Sequence, residues 1–242
     1  MRTSTLVVVF VLSLASSVFA QEWREYINAR DGFRVDFPGE PQIVETTWTT
    51  EFGYTLPARV YSATRGLERY SMTAVDYNGI EQQGWERSKK CAPGAETCQG
   101  QTGGVLFRVI GPSYAIQDIR GALLWASLKF IQRDAKVTAF HWSFTDLVEG
   151  YQLHLTNGDE SRTFVSIYMH ENRLYVMEGT VPKGYPEPGL FQQSLGFVDK
   201  AGNVLRYEAV YSNEFHGLRI YDPPPLRRGG GAGAAPGGQG AR

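Results

Sequence analysis

The stretch DGFRVDFPGEP, residues 31–41, decides how the rest of the chain is read. Phe33, Val35 and Phe37 alternate with Arg34 and Asp36, which is the period of a strand with one buried face. Asp31-Gly32 is a turn pair in front of it. Behind it, Pro38 and Pro41 withhold two backbone donors, so a ladder cannot run through them. An inward aromatic strand and a hard stop, this near the chain start, predict that β structure opens the fold.

Outward from that stretch, QIVETTWTT (42–50) is rich in β-branched residues and reads as a second strand. LPARVYSAT (56–64) and RYSMTAVDY (69–77) read as a third and fourth, turned at Gly66, so the first third predicts a meander. The period then changes. Ile116, Ile119, Leu123, Ser127 and Ile131 recur at helical spacing, and Leu124 and Leu128 widen the stripe. This predicts a long helix over 113–133, capped by Ser113, with Lys129 and Arg133 at the negative end of its dipole. EQQGWERSKK (81–90) suggests a shorter helix and GQTGG (100–104) a loop. Strands resume at 136–144, 150–156, 162–170 and 173–181, with Glu171-Asn172 closing the last hairpin. In that hairpin Val165, Ile167 and Met169 share one face while Phe164 and Tyr168 share the other. Both faces are therefore expected to be covered, by the long helix and by a short helix in GLFQQSLGF (189–197).

The two ends read differently from the middle. Arg2, the apolar run from Leu6 to Leu12, and Val18-Phe19-Ala20 before Gln21 have the form of a cleaved signal peptide over 1–20. No later run approaches the roughly 20 apolar residues of a membrane helix. Residues 222–242 are rich in Pro, Gly and Ala and are expected to be a disordered tail, which leaves 21–221 as one domain. The expected location is periplasmic or secreted. The formal net charge is −1 and no basic stripe is present, which argues against a nucleic-acid partner. Cys91 and Cys98, in CAPGAETC, are the only cysteines. In an oxidising compartment the expectation is a disulfide; a metal site lacks further ligands nearby, and a redox pair would want two intervening residues.

The order of these elements, with DGFRVDFPGEP opening the strands and RLYVMEGTVPKG and FQQSLGF closing them, resembles the PsbP-like α/β/α sandwich. That family includes a photosystem II extrinsic subunit, a nuclear-import factor that binds the GTPase Ran, and many small exported bacterial proteins. The resemblance covers roughly residues 23–200. It implies an α+β fold, an antiparallel sheet with helices on both faces, and it brings no shared catalytic set.

The chemistry-bearing residues are scattered. His141, His154, His170 and His216 lack i, i+2 or i, i+4 ligand spacing, and no HExxH occurs. There is no G-x-S-x-G elbow and no cysteine with an obvious histidine. Glu178 follows Leu174 and Val176 at period 2, so it is either a buried acid on the apolar side of its strand or an acid paired with a nearby arginine. Trp48, Trp85, Trp142 and Tyr185 are candidates for a binding surface, since aromatics are enriched at interface cores. The expectation is a non-catalytic accessory or binding domain of the bacterial cell envelope, with no cofactor and no metal and with an unknown protein or small-molecule partner. A hydrolase with a site assembled from distant residues, and a structural subunit of an envelope assembly, are the alternatives.

Overall fold

The strands form where the side-chain period places them, but not all in one sheet. The structure, a computed structural model, describes residues 22–90, 92 and 114–213. The signal segment 1–20, the Cys91–Cys98 pair, the glycine-rich 100–104 stretch, Ser113, His216 and the 222–242 tail lie outside the described residues.

The described chain runs β1 (Trp23–Asn28), β2 (Phe33–Pro38), β3 (Gln42–Thr49), β4 (Thr55–Arg65), β5 (Glu68–Asp76), α1 (Ile80–Ser88), α2 (Ala115–Ile131), β6 (Ala135–Thr145), β7 (Val148–Asn157), β8 (Arg162–His170), β9 (Arg173–Val181), α3 (Gly189–Gln193) and β10 (Gly196–Phe197). Seven antiparallel strands form the main sheet in the order β3-β4-β5-β9-β8-β7-β6, and β1-β2-β10 form a second, small sheet.

Helix α2 covers one face of the main sheet. Ile116, Ile119, Ala122, Ala126 and Phe130 pack on Leu56, Leu153, Leu155, Val165, Ile167, Leu174 and Val176. The helix starts from Tyr114, whose φ of 64° is left-handed. Asp118 ties its first turn to the β3–β4 turn by accepting from the Thr50 hydroxyl at 2.5 Å and the Phe52 amide at 3.1 Å.

The other face corrects the expectation of helices on both sides. What covers it is mainly the small sheet. Phe33, Val35 and Phe37 of β2 and Phe197 of β10 press on Tyr61, Tyr70, Met72, Tyr175 and Met177, and α3, five residues long, adds Phe191. The architecture is therefore mostly antiparallel β, two sheets with the long helix against one face of the main sheet and only the five-residue α3 beside the small sheet on the other, and not an α/β/α sandwich. The physical reason lies in residues 31–41. Alternation says that one face of β2 is buried, but it does not say in which sheet. Strand β2 pairs with β1 and β10 rather than with β3, and Pro38, Gly39 (φ +91°) and Pro41 carry the chain from one sheet to the other. So the predicted meander is β3-β4-β5, without β2.

Asp31-Gly32 fastens the two layers. The Asp31 carboxylate accepts from Arg59 Nε at 2.6 Å, from a second Arg59 nitrogen and from the Tyr61 hydroxyl. Its backbone carbonyl accepts from the Tyr175 hydroxyl at 2.6 Å. Burial pushes the carboxyl up, but the bonds from Arg59 and Tyr61 outweigh it and hold Asp31 below the ordinary carboxylate range. Gly32 takes φ +74°, and a Cβ there would stand 3.0 Å from the Arg173 guanidinium and 3.2 Å from the Tyr175 hydroxyl.

Candidate functional site

Strand β6 ends the main sheet, and no described strand pairs with its outer side. Two things about it follow from the sequence AKVTAFHWSFT (135–145). The first is a bulge. Val137 pairs with Leu155 and Ala139 with His154, so Thr138 is an extra residue, and its hydroxyl donates to the His154 carbonyl at 3.1 Å. The bulge moves the side-chain alternation by one. Phe140, Trp142 and Phe144 thereby share the face of Val137, opposite Leu153, Tyr151 and Glu149, on the helix side of the sheet. The second is composition: from Ala139 to Thr145 there is no Asp, Glu, Lys, Arg or Pro.

Helix α2 stops short of this row. Phe140, Trp142 and Phe144 remain 45%, 52% and 52% exposed. Trp142 and Phe144 lie tilted against each other at 5.3 Å between ring centres, and Phe140 lies 5.5 Å from Tyr151. Leu124, Leu128 and Ile131 are exposed on α2. At 100° per residue they lie away from the core stripe of Ile119, Ala122 and Ala126. An open groove of about 300 Å³ runs between the two elements; Leu124, Trp125, Leu128, Ile131 and Phe140 make most of its lining, and the one charged lining residue is Glu51. Arg120 is exposed one turn before Leu124 on the same side of α2, while the basic residues at and beyond the helix end are directed elsewhere. Lys129 packs over Trp48 at 3.9 Å and donates to the Thr49 carbonyl, and burial lowers its pKa. Arg133 is held by Glu178.

The four aromatics singled out from the sequence do not make one surface. Trp48 on β3 is half-buried beneath Lys129, on the flank of α2 that meets the β3–β4 turn. Trp85 is exposed on α1. Tyr185 follows β9, and its carbonyl accepts from Arg162 at the start of β8, the end of the sheet away from the β8–β9 turn. Only Trp142 belongs to the aromatic row of β6, of which Phe140 is the member that lines the groove. Phe140 and Phe144 were missed, although their period of two with Trp142 is visible in FHWSF. Leu124 and Leu128 were read as core, because a stripe widened by neighbouring leucines has no marked direction without the sheet it faces.

Glu178 lies on the helix face of β9, as its period with Leu174 and Val176 indicates. It is half-buried and forms a two-bond ion pair with Arg133 at 2.6 and 3.0 Å, beside a polar groove of about 320 Å³ that also includes Arg69, Asn157 and Asp159. The fold brings His141 and His154 together, ring centres 6.1 Å apart, which their chain spacing does not suggest. Among the described residues no group of His, Cys, Asp and Glu is placed to hold a metal ion. His170 is buried between Phe197 and Tyr211, with its Nε2 against the Tyr207 hydroxyl. Burial depresses its pKa to about 4. Among the described residues no helix is long and apolar enough to cross a membrane.

Compared with known proteins, the chain matches no family model and no curated protein.

Proposed function

We propose that this chain is an exported, non-catalytic binding domain of the bacterial cell envelope, and that it engages its partner through the β6–α2 groove. The observation that carries this reading is the uncharged aromatic row at an open strand edge. Soluble domains seldom leave so continuous an apolar surface in water unless something covers it. An edge strand supplies backbone donors and acceptors for affinity, and the alternate side chains Phe140, Trp142 and Phe144 supply selection. Export rests on the form of residues 1–20. The non-catalytic part rests on where the perturbed groups sit. Asp31, Asp118 and His170 are each sealed in layer-joining contacts and line neither the β6 groove nor the polar groove beside Glu178; Asp159, which does line the polar groove, is exposed and held low by its hydrogen bonds from Ser161.

The test is retention of the mature chain on native envelope fractions, with wild type and Trp142→Lys side by side. Retention that the variant loses, with its circular dichroism unchanged, supports the reading. Equal retention of both chains would place any envelope contact elsewhere and overturn it.

A further inference from the structure

The two open edges of the main sheet are protected very differently, and the difference indicates what covers β6. Strand β3 follows Pro41 and carries Glu45, which pairs with Arg30 at 3.5 Å and Arg59 at 3.8 Å. Its exposed Ile43 and Val44 point to opposite faces, and its Trp48 is roofed by Lys129. Charges and prolines of this kind keep an edge from pairing with another chain. Strand β6 has Lys136 and a bulge in its first part only. From Ala139 to Thr145 nothing opposes pairing, and every large side chain on the helix side is aromatic.

That stretch is also complementary to itself. We infer that β6 is a homodimer interface, in which 139–145 of two copies pair antiparallel about a two-fold axis through Trp142 and join the two main sheets into one. This rests on the proposed role of the β6–α2 groove and names its occupant as a second copy of this chain. Centred on Trp142, the pairing sets Phe140 opposite Phe144 of the second copy and His141 opposite Ser143. The faces match because the two residues of each pair share parity, and no like charges meet. A register off by one residue would send the aromatics of the second copy to the opposite face, and one off by two would keep them together but lose the Trp142–Trp142 contact at the axis. Cross-strand aromatic pairs are among the favourable ones in antiparallel sheets. The helices α2 of the two copies would flank a trough floored by six rings, with Leu124, Leu128 and Ile131 as its walls. Each half-exposed ring leaves about 100 Å² in water. Edge pairing covers part of that area together with the backbone of 139–145, which puts the contact at the low end of specific interfaces, below about 800 Å² per partner. A two-fold closes this contact, so it ends at a dimer and does not grow into a fibre.

The experiment is sedimentation equilibrium of the full mature chain, wild type beside Trp142→Lys and Phe144→Lys. Both substituted positions are half-exposed, so either variant can fold as the monomer; circular dichroism checks each. A wild-type dimer with a dissociation constant of about 10 µM or tighter is expected, weakened about thirtyfold or more by each lysine. A dimer that both variants leave intact uses another surface and overturns the inference. So does a monomer at every concentration, whether its edge is covered by residues 93–113 of the same chain or by a different protein. Failure here is separable from failure of the proposed function. A monomeric chain that Trp142→Lys still releases from envelope fractions keeps the binding surface and loses only the second copy as its occupant.

Discussion

The two faces of the main sheet are covered by different kinds of layer. On one, a single 17-residue helix lays small and branched side chains, Ala122, Ala126 and Ile119, onto branched residues of the strands. On the other, a small sheet presses Phe33, Phe37 and Phe197, and α3 presses Phe191, onto Tyr61, Tyr70 and Tyr175. The helix satisfies its own backbone and needs little more than an apolar stripe to dock. The small sheet has only three strands, one of them two residues long, and could not stand alone in water. It is held by large rings and by charged contacts, the most buried of them Asp31 with Arg59, Tyr61 and Tyr175. Two layers of similar extent thus rest on different physics: one on a pattern spread along a helix, the other on a few concentrated contacts.

This contrast is open to breaking. Phe37→Ala should cost the most, about 4 kcal/mol in a urea titration, because the ring is fully buried between Tyr26 and Phe191. A loss under about 1 kcal/mol would mean that the small sheet is a loose appendage rather than half of the core. Asp31→Asn should follow at about 3 kcal/mol, since it leaves Arg59 facing an uncharged partner in a largely buried pair. If Asp31→Asn proves neutral, the layers are joined by the rings alone.

Acid should act next, and through the same layer. His170 has a folded-state pKa of about 4, below the ordinary 6.5, because burial disfavours its charged form. The unfolded chain therefore takes up the proton first. The contribution of His170 is complete above about pH 6.5, declines as the pH falls to about 4, and stops changing below that. The loss across this window is about 3 kcal/mol at most. His170→Phe should flatten that part of the profile, and an unchanged slope in the variant would assign the acid sensitivity to other groups. Asp36→Ala should be the mildest, within about 0.5 kcal/mol, because Asp36 is on the outward face of β2 and only its backbone amide is engaged, by the Ser194 hydroxyl. A larger loss than for Phe37→Ala would invert the register of β2.

The strands of the second half could be read almost residue for residue, because Arg162–His170 and Arg173–Val181 are bounded by turns and carry apolar residues on both faces. The helix could be read as well, but its buried face only in part: Ile116, Ile119 and Ser127 are core as expected, whereas Ile131 is exposed and Ala122, Ala126 and Phe130 take the remaining core positions. The sheet to which β2 belongs could not. Partner choice for β2 depends on Gly196-Phe197, some 160 residues later, and on β1, whose six residues WREYIN carry no clean alternation. The candidate groove was half legible. FHWSF shows the row, but the face it lies on is set by the bulge at Thr138, and a bulge leaves no mark in the side-chain pattern until the opposite strand is known.

That bulge has an evolutionary consequence. Paired without the bulge, with Thr138 in the ladder opposite His154, the run 139–145 would keep its composition and present Phe140, Trp142 and Phe144 to the opposite side of the sheet, where the small sheet and α3 lie. The bulge absorbs its extra residue and so holds the three aromatic side chains on the helix side, whereas one codon inserted or lost within the ladder would carry them across. A surface of this kind can arise or vanish between close descendants in a single mutational step, while the order of strands is left untouched.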